Sequence, residues 1–228
     1  MMRENILTIR QRIAGASSKI NQDPSRIIIV AVAKGRAVEQ IKEVIEAGIT
    51  DIGENRVQEA VLKYDAVRDT PYAVQPKWHM VGHLQTNKVK DAVRTFDLIQ
   101  SVDSLRLAEE IDKHASKIGK TQNILIEIKT SSEASKSGLN PDGAIEVIKE
   151  IDKLKKINIK GLMTIAPLAA DPEDARPYFR KLKELLNNVN SILNTQYSIL
   201  SMGMSDDFEV AIEEGANMIR LGRAIFEG

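Results

Sequence analysis

Ile27-Ile28-Ile29-Val30-Ala31-Val32-Ala33-Lys34-Gly35 is the stretch on which the fold turns. An apolar run of this kind, buried on both faces, reads as the first strand of a parallel sheet. Lys34 closes it and would sit half-desolvated at the mouth of a barrel or sheet. Desolvation disfavours an ammonium group. A less protonated amine is what a Schiff base with an aldehyde or ketone requires. An ordinary strand-ending lysine with its head in solvent is the alternative reading.

Outward from this strand the pattern repeats. Further apolar strands are expected at Asp51–Glu54, Lys77–Leu84, Leu98–Val102, Asn123–Lys129, Lys160–Ala166, Tyr197–Met202 and Met218–Gly222. Amphipathic helices lie between them. Val38, Ile41, Val44 and Ile45 form one stripe, closed by Gly48. Asn140-Pro141 opens a stripe of Ala144, Val147, Ile148 and Ile151. Asp171-Pro172 opens another with Phe179, Leu182, Leu186 and Val189, and Asp206 with Glu209 fits the start of the helix that Gly215 ends. Eight strand–helix units imply an α/β fold, a (β/α)8 TIM-type barrel, as one domain over residues 1–228. An extra N-terminal helix around Arg3 to Lys19 precedes it. An open doubly wound sheet is the lesser alternative.

Composition removes several function classes. Lysine and arginine number 32, as do aspartate and glutamate, so charge gives no reason to expect nucleic acid or a membrane as partner. Without cysteine there is no disulfide, thiolate metal site or cysteine nucleophile. The amino terminus has no apolar signal core, and no stretch approaches the roughly 20 apolar residues that span a bilayer. A cytoplasmic protein is expected. Balanced charge and the lack of an obvious exposed apolar face point to a monomer.

In such a barrel the site lies at the carboxyl ends of the strands, with phosphate often bound after the seventh and eighth. There the chain reads Ser201-Met202-Gly203-Met204-Ser205 and Arg220-Leu221-Gly222-Arg223. Hydroxyls, glycines and free backbone N–H groups make a phosphate cradle. Alternation along the last strand points Arg220 inward, where it needs an acceptor. That acceptor is a buried carboxylate such as Glu54 or Glu127, or a ligand atom. His79 and His83, four residues apart on one strand, are separated by about 13 Å and cannot share a metal ion. His79 could pack on a planar ligand or be a satisfied core histidine, and Asn55 could reach the rim or cap the next helix. Lys136 is a second amine near the mouth.

Taken together these residues resemble the pyridoxal phosphate homeostasis proteins, a family related to the barrel domain of alanine racemase. The carriers are Ala31-Val32-Ala33-Lys34, Gly53-Glu54-Asn55-Arg56-Val57-Gln58-Glu59 and Trp78-His79-Met80-Val81-Gly82-His83-Leu84-Gln85-Thr86-Asn87-Lys88. Glu133-Ala134-Ser135-Lys136-Ser137-Gly138, Gly161-Leu162-Met163-Thr164-Ile165, Leu200-Ser201-Met202-Gly203-Met204-Ser205 and Arg220-Leu221-Gly222 complete the set. The resemblance implies that Lys34 forms the internal aldimine with pyridoxal 5′-phosphate. It further implies that Ser201 and the backbone around Met202, Gly222 and Arg223 hold the phosphate. Arg220 would face the pyridine nitrogen, and His79, Asn55 and Met163 would line the ring or rim. Two departures stand out: the chain reads Ala216-Asn217 near where the family usually carries a hydroxyl residue, and it ends Phe226-Glu227-Gly228 where relatives often continue with a glycine and basic residues.

The implied function is a cofactor-holding protein of intracellular pyridoxal phosphate homeostasis, without catalytic residues or a metal. Apoenzymes that use the cofactor are its implied exchange partners. A racemase-like amino-acid enzyme is the alternative, and a lyase with a cofactor-free Schiff base on Lys34 is a third reading. Racemisation needs a base on each face of the substrate α-carbon. The tyrosines Tyr64, Tyr72, Tyr178 and Tyr197 stand at no obvious strand end. An arginine against the pyridine nitrogen keeps it unprotonated and weakens the cofactor as an electron sink.

Overall fold

The computed structural model describes residues 1–68, 75–131, 133 and 137–227. Lys136 and Tyr72 lie outside the described residues. Eight parallel strands close a barrel in sequence order: β1 Ile28–Val32, β2 Asp51–Glu54, β3 Lys77–Met80, β4 Leu98–Val102, β5 Gln122–Glu127, β6 Ile157–Met163, β7 Ile199–Ser201 and β8 Met218–Leu221. The barrel is a (β/α)8 TIM-type fold. All eight expected strands are present, most of them shorter than expected at their carboxyl ends. The closing register pairs Val30 of β1 with Arg220 of β8.

The helices are α1 Met2–Lys19, α2 Val38–Glu46, α3 Val57–Val67, α4 Val89–Thr95, α5 Leu105–Lys117, α6 Ala144–Ile151, α7 Arg176–Leu193, α8 Phe208–Glu213 and α9 Arg223–Phe226. Gly48 ends the first stripe in the left-handed region, where its φ of 86° favours glycine. Asn140 and Asp171 cap one-turn 3-10 segments that lead into α6 and α7, their side chains accepting from the N–H of Asp142 and Glu173. Asp206 is not the start of α8. Asp207 occupies the cap position, and Asp206 turns away to pair with Arg223.

The core divides in two. The larger part lies between the strands and the helices and holds Ile41, Ile52, Trp78, Ile99, Ile126, Phe179, Leu182 and Phe208, among many others. The smaller part fills the barrel with Val30, Val81, Leu98, Leu125, Met163 and Met218. The short α9 follows β8, and α1 packs against both α8 and α9. It is fastened there by paired hydrogen bonds from Arg12 to Glu209, by Lys19 to Glu213 and by Asn5 Nδ2 to Ile225 O. The N-terminal helix thus joins the outer ring beside α8 and α9.

Candidate functional site

Strand β1 stops at Val32, and its continuation is pinned from two sides. Ala33 N–H donates to Gly53 O at 2.8 Å, and Ala33 O accepts from Lys63 Nζ at 2.7 Å. Lys63 also pairs with the fully buried Glu54, whose carboxyl is held above its usual range by burial, with Lys63 opposing. Glu54 is thus spoken for on the helix side of the sheet and is not the partner of Arg220. Lys34 follows on a turn with Gly35, whose φ is 69°. The turn backbone is fixed while the Lys34 side chain is exposed. The expected half-desolvation is not found, because Lys34 lies two residues past the end of the strand and clear of the sheet.

Lys34 lines a cavity of about 440 Å³ with Asn55, Arg56, Met80, Gly82 and His83. That volume is in the range of small-molecule sites, which run from about 300 to 1,000 Å³. A neighbouring cavity of about 270 Å³ shares Asn55, Gly82 and His83 and is floored by Glu127 and Ile165. Asn55 does not cap α3, whose cap residue is Arg56. Its Oδ1 is buried without a hydrogen-bond partner. Gly82 lets the Asn55 backbone approach: a Cβ on Gly82 would lie 2.5 Å from Asn55 O.

Beneath the cavity the barrel interior is polar on one side. Arg220 does point inward, and it is buried. Its Nη1 donates to Ser201 Oγ at 2.6 Å, and its Nη2 donates to the Thr164 carbonyl at 2.8 Å. Ser201 Oγ in turn donates to Gln100 Oε1 at 2.6 Å. Gln100 Nε2 is 2.9 Å from His79 Nδ1 and 3.3 Å from Met218 Sδ, and His79 Nε2 is 2.9 Å from Asp51 Oδ1. Burial lowers the Arg220 guanidinium to about 10, opposed by Glu127 and Asp207. Burial lifts the Glu127 carboxyl to about 7, Asp103 adds to that, and Arg220 works against it.

Four of the expected ligand residues are engaged within the barrel framework. Ser201 uses its hydroxyl both to accept from Arg220 and to donate to Gln100. Met202 N–H donates to Met218 O, and its side chain packs in the outer core. Met163 belongs to the inner core, and His79 has both ring nitrogens occupied. Lys34, Asn55, Gly82 and His83 are brought to the mouth. Gly222 and Arg223 follow β8 on the same rim, beside Ser205, whose hydroxyl accepts from Ala224 N–H at 3.2 Å. Asn217 stands at the other end of β8, where it accepts from Leu200 N–H and donates to Ser198 O, so this departure from the family is remote from the cavity.

The alanine racemase N-terminal domain model matches residues 2–228. A pyridoxal phosphate homeostasis protein of Aquifex aeolicus is 40% identical over 223 residues, covering 98% of this chain and 96% of that protein. Its counterpart in Pseudomonas aeruginosa is 34% identical, with 98% and 94% covered. The chain belongs to the pyridoxal phosphate homeostasis protein family. Among solved structures, PipY of Synechococcus elongatus with pyridoxal phosphate bound superposes with a TM-score of 0.87 at 32% identity, covering 99% of this chain and all of that one. The alanine racemase of Clostridium difficile, at 18% identity and a TM-score of 0.78 over 59% of its length, shares the barrel fold.

Gln100 lies in none of the motifs, and Thr164 lies inside one but was given no role. A glutamine inside β4, which reads Leu98-Ile99-Gln100-Ser101-Val102 and is buried throughout, is the signal that could have found the first. Among the implied phosphate contacts Ser201 was named and Ser205, four residues on in the same motif, was not.

Proposed function

We propose that this chain binds pyridoxal 5′-phosphate through a Schiff base on Lys34 Nζ and holds it for supply to other proteins, without efficient turnover of amino acids. The observation that carries the reading is full-length similarity to PipY with the cofactor bound, joined to a cavity lined by Lys34. The residues fit the group. An amine for the aldehyde, a fixed guanidinium for the ring nitrogen and the orphaned Asn55 Oδ1 all face or underlie the mouth. For the phosphate, Ser205, Gly222 and Arg223 are better placed than Ser201 and Met202, whose polar groups serve the barrel. Bound on an amine, the cofactor supplies an electron sink for carbanions.

The protein's own residues weaken that capacity. Arg220 is charged and donates only, so an acceptor nitrogen above it stays unprotonated. None of the described tyrosines supplies a base at the mouth. Tyr64 packs edge-on against Trp78 outside the barrel, Tyr197 donates to Asp152, and Tyr178 packs against the outer core. The wider reading is a cytoplasmic monomer that exchanges cofactor with apoenzymes and has no nucleic-acid or membrane partner; no described helix is long and apolar enough to cross a membrane.

The test is the absorption spectrum of the protein mixed with pyridoxal 5′-phosphate, then with a panel of amino acids. A visible band that Lys34→Ala lacks, persisting with no conversion of either enantiomer, supports the carrier. A band that converts with product formed makes the protein an enzyme. No band at all overturns the cofactor reading.

A further inference from the structure

The interior chain from Asp51 to Arg220 has a direction, and the direction follows from chemistry at one end. A guanidinium can only donate. Ser201 Oγ therefore accepts from Arg220, and its own proton goes to the other neighbour, Gln100 Oε1. This fixes the Gln100 amide with Nε2 toward His79 and Met218. The opposite orientation would set an amide oxygen against Met218 Sδ and an N–H against a hydroxyl already accepting from Arg220. Gln100 Nε2 thus donates to His79 Nδ1, which must be bare, and His79 carries its proton on Nε2, donated to Asp51 Oδ1. Every donor points away from Arg220. Each polar atom of Gln100 is used, and the chain ends on a carboxylate at the amino-terminal rim, the face opposite Lys34.

We propose that Asp51, His79, Gln100 and Ser201 form a one-way relay that positions the Arg220 guanidinium and links it to a counter-charge across the barrel. His79 and Gln100 are positioning residues and touch no ligand. The four relay residues come from β2, β3, β4 and β7, and Arg220 comes from β8, so the chain ties together strands far apart in the barrel. With the Gln100 amide turned over, Ser201 would accept from two donors and its own proton would lose its acceptor, and a neutral His79 would set a bare Nε2 against the Asp51 carboxylate, so the relay runs one way. A proton added at His79 Nδ1 would face the Gln100 N–H directly, so the neutral Nε2–H form is built into the geometry. Buried polar chains of this kind hold their members rigidly when every partner is satisfied. The relay stands on the interior geometry alone; its consequence for the ligand rests on the cofactor reading above.

The test reads the histidine ring nitrogens by ¹⁵N NMR in the intact protein, where His79, His83 and His114 are the only histidines. Wild type should show His79 with a bare Nδ1 and a protonated Nε2; an Nδ1–H form or a doubly protonated ring overturns the relay. Gln100→Glu presents an acceptor to both neighbours. It should still take the Ser201 proton while drawing a second proton onto His79 Nδ1, and an unchanged His79 overturns the relay. Gln100→Leu cuts the chain. It should shift or broaden the Arg220 side-chain resonances and weaken pyridoxal 5′-phosphate binding about tenfold, with Gln100→Glu restoring most of the affinity. Unchanged Arg220 resonances and affinity in Gln100→Leu contradict the positioning role. If Gln100→Leu fails to fold, wild type and Gln100→Glu still decide the direction. A protein that shows the expected tautomer but takes up no cofactor sinks the cofactor reading and leaves the relay standing.

Discussion

The space outside the barrel and the space inside it are built on different terms. Outside, between strands and helices, the core is a nearly continuous aliphatic and aromatic layer that holds the buried ion pair of Glu54 with Lys63. Inside, a few apolar side chains share the volume with Asp51, His79, Gln100, Ser201, Arg220 and Glu127. The outer layer draws its stability from area removed from water. The inner one holds charge and hydrogen bonds that gain nothing from burial alone and need one another's geometry. The lesson is a division of labour: the outer layer makes the barrel, and the inner layer aims the site.

The sharpest way to separate the two is to cut into the outer layer. Phe179 is fully buried on α7. Phe179→Ala should cost about 4 kcal/mol in denaturant unfolding through lost transfer energy and the cavity left behind. Molecules that remain folded should keep the interior relay. Lys63→Met probes the point where the layers meet, since Lys63 neutralises Glu54 and also holds Ala33 O beside Lys34. Stranding the Glu54 carboxylate should cost about 3 to 4 kcal/mol at neutral pH. Adding Glu54→Gln should recover much of this without restoring the grip on the Lys34 turn. Equal costs for the single and double variants would show that the ion pair carries little of the effect.

The interior gives a change of opposite sign. Glu127 has its carboxyl raised from 4.5 to about 7, so between those values the folded protein keeps a proton that the unfolded chain releases. Stability should therefore fall as pH rises through that window. Glu127→Gln should remove the slope and gain on the order of 3 kcal/mol at pH 8, with little gain at pH 4. Unfolding curves for both proteins at the two pH values check it. An identical pH dependence would mean that Glu127 ionises without penalty.

This contrast also explains what could be read in advance. Stripes such as Ile41, Val44 and Ile45 face the outer layer at a local period, and strand runs such as Ile28–Val32 alternate between it and the barrel interior, so the eight units and the closed barrel were legible. Arg220 was legible too, because strand alternation alone turns it inward. Its partners were not. Ser201, Thr164 and Gln100 belong to β7, the end of β6 and β4, and only closure of the barrel brings them together. A hydroxyl and an imidazole on barrel strands, such as Ser201 and His79, read alike whether they face a ligand or a buried amide such as that of Gln100. Lys34 was expected closer to the sheet than it lies, since the apolar run continues past the last paired residue, Val32, to Ala33.

The most direct test of the central claim is to mix the protein with pyridoxal 5′-phosphate, reduce with borohydride, and map the modified peptide by mass spectrometry. The account predicts one pyridoxyl-phosphate group per chain, on Lys34, and none in Lys34→Ala. A stable adduct on Lys136 instead, or no adduct on any lysine, would contradict it.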